Sequence, residues 1–284
     1  MAFEYLASGA TSLAAAFWLL ADGTAGSGPA ANATLIIPDG VQAITTAVDQ
    51  SAAGGMRSFE VNRLFTGTIG SLGTPAKLYL TDSTAAEKTS ANSESFIRYD
   101  AGGGAFYISC STVSGTSSID NFFQNSVGAV YFVTGLCVFY HLTNGPLTVK
   151  ANGTLTNFDA WGGSSTIDSG GTNLTNMTIF GGNHIVNRAV TGTLTIYGGS
   201  VTLNYEGTTA TGTVNLRGGT FDHRAGDVTT MNHDAGLHDY SNMRRKSTIT
   251  TCTRKPNAVS RGIRSSGMLT VTTDTTIGFP QFAA

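Results

Sequence analysis

Four pairs of consecutive glycines recur at nearly constant spacing in the second half of this 284-residue chain. The pairs begin at Gly162, Gly181, Gly198 and Gly218. A repeat of about 20 residues is typical of a solenoid, in which each repeat forms one turn and packs on its neighbours. This spacing therefore constrains the fold more than any other feature. The full set of glycines is Gly162, Gly163, Gly181, Gly182, Gly198, Gly199, Gly218 and Gly219.

The segments that end in these glycines have the pattern of β-strands. Residues 174–182, 192–199 and 212–219 alternate apolar side chains with Thr, Asn or Arg, which is typical of a strand with one buried face. Glycine allows the positive φ that a tight corner requires. We predict an all-β fold: a parallel β-helix (solenoid) with an irregular N-terminal cap and a separate C-terminal β segment. A β-sandwich or jelly roll is the alternative, but it does not predict evenly spaced glycine pairs.

Composition agrees with short strands joined by tight turns. Charged residues make up only 12% of the chain and glycine contributes 36 residues, which excludes a helical bundle. The 40% hydrophobic fraction excludes wholesale disorder. We predict residues 1–56 to be an N-terminal capping and attachment region, 57–240 the β-solenoid body and 241–284 a basic C-terminal docking segment.

The N-terminal apolar stretch and the cysteines bear on the compartment. Residues 12–20 predict a short helix, and residues 12–21 are too short to span a bilayer and lack the preceding positive charge of a signal peptide. Cys110, Cys137 and Cys252 form no C-x-x-C motif, so we expect free, buried thiols. These features predict synthesis in a reducing host cytoplasm.

Charge is distributed unevenly along the chain. Residues 1–240 carry 9 basic and 17 acidic residues, whereas residues 241–284 carry 7 basic and 1 acidic residue. We predict that this basic segment docks on an acidic surface of a neighbouring subunit or larger assembly. A solvated final strand pair and nucleic-acid binding are the alternatives, and the absence of aromatic residues among the basic ones disfavours nucleic acid. The predicted docking residues are Arg244, Arg245, Lys246, Arg254, Lys255, Arg261 and Arg264.

Carboxylates and histidines are the candidate chemical groups. Of Asp159, Asp168, Glu206 and Asp222, the last two lie about one turn apart and form the best candidate pair for glycoside hydrolysis. Solvated or turn-capping acids are the alternative. His223, His233 and His238 lie among several aspartates, but no standard ligand spacing is present, so a polar network is favoured over a metal site. The sequence therefore predicts no catalytic residues, no metal and no cofactor.

One segment resembles a known class of protein. Residues 49–80 contain F-T-G-T-I-G at 65–70, followed by Pro75 and Leu78. This segment resembles a pattern in bacteriophage virion structural proteins, in which such a strand and a proline-containing turn precede a β-helical body. The resemblance implies a virion subunit of the capsid decoration (cement), head-spike or fibre type, and it carries no catalytic residues over.

We therefore expect a non-enzymatic capsid decoration protein at the virion surface, which binds and stabilises the outer capsid. Its expected partners are copies of itself, as a homotrimer, and the major capsid protein, without nucleic acid or membrane. The alternatives are a tailspike-like enzyme that degrades polysaccharide and a non-catalytic receptor-binding adhesin.

Overall fold

A computed structural model describes most of the chain. The described residues are 3–7, 10, 18–20, 22–24, 33–39, 43–44, 49–50, 57–80, 96–112, 118–262 and 267–277. They form 21 β-strands and no helix, and within this part of the chain there is accordingly no helix that could cross a membrane. The chain divides into two compact units, unit 1 (Met1–Leu155) and unit 2 (Thr156–Ala284).

Unit 1 winds through stacked parallel strands. Its strands are β1 (Phe3–Leu6), β2 (Trp18–Leu20), β3 (Thr34–Ile37), β4 (Asp49–Gln50), β5 (Ser58–Val61), β6 (Ala76–Leu80), β7 (Phe96–Tyr99), β8 (Ala105–Thr112), β9 (Ser118–Asn125), β10 (Ala129–Asn144) and the first part of β11 (Pro146–Ala160). One parallel column runs β1–β3–β5–β7–β9–β10, and another runs β4–β6–β8–β10.

The turns of unit 1 differ greatly in length. The chain between the register partners Ser58 and Phe96 is about twice as long as that between Asn121 and Phe139. Large aromatic side chains fill the interior, among them Phe106, whose ring centroid lies 5.9 Å from that of Phe59 and 6.3 Å from that of Phe122. Because such layers differ from one turn to the next, unit 1 shows no fixed sequence period.

The segment that carries the phage resemblance lies inside this winding. Phe65 and Ile69 are fully buried. Ile69 forms parallel bridges with Ile44 and Phe106, so it links three successive turns. Gly70 adopts a φ of 71°. The apolar residues of the motif are therefore core residues.

Unit 2 is a regular parallel β-solenoid. Besides the end of β11, its strands are β12 (Ser164–Ile167), β13 (Leu174–Ile179), β14 (Asn183–Val186), β15 (Val190–Ile196), β16 (Ser200–Asn204), β17 (Thr211–Leu216), β18 (Thr220–Ala225), β19 (Val228–Asp239), β20 (Ser247–Arg261) and β21 (Leu269–Thr276). One column runs β11–β13–β15–β17–β19–β20–β21. A second runs β12–β14–β16–β18, then the ends of β19 and β20. The prediction of a parallel β-helix is confirmed.

The glycine pairs lie at one corner of consecutive turns. A corner of constant length separates the two strands there, at 161–163, 180–182, 197–199 and 217–219. The second glycine of each pair has a positive φ, 69° at Gly199 and 65° at Gly219. A Cβ atom on Gly199 would lie 2.4 Å from the carbonyl oxygen of Gly182 in the preceding turn. The corner therefore requires glycine for both backbone conformation and space.

Two expectations about the chain ends were wrong. The C-terminal β segment is not separate, because β20 pairs in parallel with β19, and β21 with β20, as further turns of the solenoid. The predicted helix at 12–20 is not present in its described part, where β2 pairs antiparallel with β1. The division into attachment, body and docking regions stays a prediction, since strand pairing does not report on docking.

Candidate functional site

A row of large exposed side chains follows the glycine corner of unit 2. The strand register aligns Ala160, Ile179, Ile196, Leu216, His233 and Arg254 in successive turns. The residue after each of these positions points outward; it begins the glycine corner in the first four turns and lies within β19 or β20 in the last two. We call this row the corner ladder; it consists of Trp161, Phe180, Tyr197, Arg217, Asp234 and Lys255.

Neighbouring members of the corner ladder contact one another from Trp161 to Arg217 and again from Asp234 to Lys255. The rings of Trp161 and Phe180 stack with centroids 5.5 Å apart, and those of Phe180 and Tyr197 with centroids 5.1 Å apart. The Arg217 guanidinium lies 5.4 Å from the Tyr197 ring centroid and donates a 3.0 Å hydrogen bond to the Tyr197 hydroxyl. Lys255 Nζ lies 2.9 Å from Asp234 Oδ1. The ladder thus changes from aromatic to charged along its length.

This arrangement exposes ring edges. Trp161 is 50% exposed, and Phe180 and Tyr197 are each 43% exposed. The facing sides of neighbouring rings are covered by the stacking, and the guanidinium lies against Tyr197. A protein surface can pack along these edges. Aromatic residues and Arg are enriched in protein interfaces.

The predicted docking residues are divided between ion pairs and open surface. Arg254 pairs with Asp274 at 2.8 Å, Lys255 pairs with Asp234, and Arg261 donates to Asp239. The hydrogen bonds from Arg261 lower the pKa of Asp239 to about 2. The last turns therefore use much of their positive charge to neutralise acids of neighbouring turns.

The other docking candidates lie between β19 and β20 or beyond the described residues. Arg245 donates to the backbone carbonyls of Glu206 and Gly207. Arg244 and Lys246 are exposed. Arg264 lies outside the described residues.

The histidines lie inside the solenoid. His223, His233 and His238 are buried, and the ring centroids of His223 and His238 are 5.6 Å apart. His223 Nε2 donates to the Gly226 carbonyl at 2.6 Å, and His233 Nε2 donates to that of Gly236 at 3.0 Å. Burial lowers the pKa of both histidines, which favours the neutral ring.

The described residues contain no preformed metal site. Among the described residues, no group of three or more His, Cys, Asp or Glu side chains is arranged to hold a metal ion. Cys137 and Cys252 are buried and form no disulfide bond with any residue that the structure describes, and the Cys110 side chain lies outside the described part of the structure. The interior histidines instead donate to the backbone carbonyls of Gly226 and Gly236, and the His223 and His238 rings lie within hydrogen-bond distance of each other.

The proposed carboxylate pair has two different environments. Asp222 forms an ion pair with Arg224 at 2.7 Å and accepts a 3.4 Å hydrogen bond from Thr202. Glu206 follows β16 and lines a cavity of about 200 Å³ together with Asn187 and Asn204. Asp222 is not among the described residues that line this cavity, so the cavity does not hold both acids.

A larger polar cleft lies in unit 1. It has a volume of about 430 Å³, and its lining includes Arg63, Asp100, Asn125, Val127 and Asn144. Burial raises the pKa of Asp100, and the nearby Arg98 charge opposes that shift. Asp100 is the one carboxylate among the described residues of the lining.

Sequence reasoning missed the corner ladder and this cleft. The ladder had a visible signal, since Trp161, Phe180, Tyr197 and Arg217 each directly precede a glycine pair. The cleft has no such signal in the sequence, because its lining residues come from turns of unequal length and therefore recur at no fixed spacing.

Comparison with known proteins does not identify a function for these surfaces. The chain shows no match to protein-family models, to curated proteins or to solved structures. The resemblance of residues 49–80 to phage virion proteins therefore stays a prediction from the sequence.

Proposed function

We propose that this chain is a structural virion protein of the capsid decoration type, which acts as a homotrimer. The corner ladder is the observation that carries the proposal. It gives unit 2 a row of exposed aromatic edges followed by charged side chains at aligned positions of successive turns. This surface is suited to lie against another protein.

The charges of the ladder itself favour an acidic, partly apolar partner surface on the major capsid protein. Arg217 and Lys255 outnumber Asp234 within the ladder. In a parallel trimer with the ladders at its axis, three copies of Arg217 would meet, which is unfavourable. We therefore assign the ladder to the capsid and trimer contacts to another face.

Particle fractionation tests the location. Virions of the phage whose genome encodes the chain are separated from free protein on a density gradient, and their proteins are identified by mass spectrometry. We expect the chain in intact particles and, after its removal, particles that lose their DNA at lower temperature. Absence from particles, or a gene in a cellular genome outside any prophage, contradicts the proposal.

Ladder variants test the contact surface. Phe180→Thr combined with Tyr197→Thr should lower capsid occupancy about tenfold, since buried aromatic residues dominate interface energies. Ile185→Thr is the matched control, because Ile185 is similarly exposed on unit 2 but lies outside the ladder. Light scattering measures the trimer, and circular dichroism verifies folding. A folded ladder variant that binds capsids like the native protein overturns the assignment.

A further inference from the structure

The cleft of unit 1 is built from the ends of four stacked parallel strands. Arg63 follows β5, Asp100 follows β7, Asn125 ends β9 and Asn144 ends β10. Asn125 and Asn144 are register partners in adjacent strands. Side chains from four separate turns therefore converge on one opening of about 430 Å³, which lies within the usual range of ligand sites, roughly 300–1,000 Å³.

A buried hydrogen-bond network supports the strand ends that carry the lining of the cleft. The Ser126 hydroxyl donates to the Ala101 carbonyl at 2.6 Å. Tyr140 donates to Gln124 Oε1 at 2.6 Å, and Gln124 Nε2 donates to the Pro146 carbonyl at 3.1 Å. Ser126, Gln124 and Tyr140 are all buried. The turns that carry the lining residues are thus held in place before any ligand arrives.

The lining presents balanced, planar hydrogen-bonding groups. Arg63 supplies donors, Asp100 supplies acceptors, and Asn125 supplies both. Asn144 Oδ1 accepts from the Gly145 backbone at 2.8 Å, which leaves its NH₂ group to donate. Neither Arg63 nor Asn125 uses its side chain in a hydrogen bond or ion pair with another residue that the structure describes. These two side chains are available to a ligand.

The charge balance identifies the ligand class. The described lining contains one guanidinium, Arg63, and one carboxylate, Asp100, and these do not form the cluster of cations or backbone N–H groups by which proteins bind phosphate. Adjacent hydroxyl groups, each a donor and an acceptor, match planar amide, carboxylate and guanidinium groups. A neutral, polyhydroxylated ligand therefore fits the lining.

An exposed aromatic surface continues from the cleft along the same strands. Phe123 lies two residues before Asn125 and so faces the same side of β9. It is 38% exposed and stacks on His141 with ring centroids 4.9 Å apart. Phe139, in the next strand, is 42% exposed. A ligand longer than the cleft would pass over these apolar edges.

We propose that the unit 1 cleft binds a neutral oligosaccharide, with hydroxyl groups held by Arg63, Asp100, Asn125 and Asn144 and the next sugar units lying against Phe123 and Phe139. This function is independent of the capsid contact, because its residues lie in unit 1 and the corner ladder lies in unit 2. It would let the protein attach to glycans while it remains on a particle.

Binding to a printed array tests the proposal with the full chain. The array holds neutral and uronic-acid-containing oligosaccharides of two to six sugars, and the strongest neutral ligand is then titrated by calorimetry. We expect saturable binding of a neutral ligand. Arg63→Ala and Asn125→Ala should each weaken it about tenfold, as expected for a lost hydrogen bond.

Asn242→Ala is the matched control, since Asn242 is an exposed asparagine of unit 2 and its replacement should leave affinity unchanged. Thermal unfolding confirms that each variant is folded. Three results overturn the proposal: no binding at about 10 mM ligand, binding of uronic-acid ligands only, or equal affinity of folded cleft variants and native protein. Capsid occupancy, measured separately, is expected to be unaffected by the cleft substitutions.

Discussion

Units 1 and 2 use parallel strand stacking in contrasting ways. Successive register partners in unit 2 are separated by nearly equal lengths of chain, and aliphatic residues such as Leu194 and Val214 recur at equivalent interior positions. In unit 1 these lengths vary about twofold, and the interior depends on individual aromatic rings and a buried polar network. Because the same small aliphatic residues fill each turn of unit 2, its sequence repeats at a regular period. Each turn of unit 1 is filled by a different set of side chains, so its sequence has no such period.

The largest expected difference concerns the repeated layers of unit 2. Leu216→Asp should abolish folding of unit 2 or lower the free energy of unfolding by several kcal/mol, because Leu216 is fully buried and an unpaired charge would enter the interior. Urea unfolding followed by circular dichroism measures it. Thr195→Ser, outside the core in the neighbouring strand, should change stability by less than about 0.5 kcal/mol. Equal effects would show that the assigned inward and outward faces are wrong.

Acidification should distinguish the two units. Burial lowers the pKa of His184, His223 and His233 in unit 2, so below pH about 6.5 the unfolded chain binds protons that the folded unit does not. The free energy of unfolding therefore falls as the pH falls, by at most about 1.4 kcal/mol per pH unit for each histidine.

Hydrogen exchange at pH 7.5 and 5.5, corrected for the intrinsic rate, resolves this effect by unit. Protection should fall in unit 2 more than in unit 1, which contains only His141. A larger loss in unit 1 would disprove the explanation from buried histidines.

The glycine corner should tolerate less change than a turn of unit 1. Gly199→Ala should lower the free energy of unfolding by about 2 kcal/mol, because the new Cβ meets a carbonyl oxygen and the φ is positive. Gly73→Ala is the matched change in unit 1, where a Cβ meets nothing within 4 Å. Denaturant midpoints compare the two variants, and a tolerated Gly199→Ala would mean that the corners are not so closely stacked.

The smallest expected effect tests the polar network of unit 1. Tyr140→Phe removes the donor to Gln124 and should cost about 1–2 kcal/mol, since a buried acceptor loses its partner. Tyr131→Phe, on a ring that stacks on Tyr107 outside the buried core, should cost little. If the two variants had equal melting temperatures, the network would not be what stabilises the irregular turns.

The sequence predicted the solenoid where its turns are alike. The glycine spacing predicted the turn length of unit 2, and the alternation in residues 192–199 placed Ile196 inside, where it is fully buried. The sequence predicted a polar network of His223, His233 and His238 in preference to a metal site, but it did not predict that these rings are buried, because alternation does not show which neighbouring carbonyls a buried imidazole can reach. The unit 1 cleft depends on the pairing of β5 with β7 and of β7 with β9 across long, unequal connections, for which no local pattern exists.

The constant length of the glycine corner has a consequence for how this scaffold can change. On the opposite side of each turn the connections vary freely, from the longer ones at 168–173 and 205–210 to the shorter ones at 187–189 and 226–227. Carbonyl oxygens crowd the glycine side, so new loops or grafted peptides belong on the return side, where added length costs little closure entropy. Unit 2 can therefore accept new segments along its return side, where the connection lengths vary, while the length of the glycine corner stays constant.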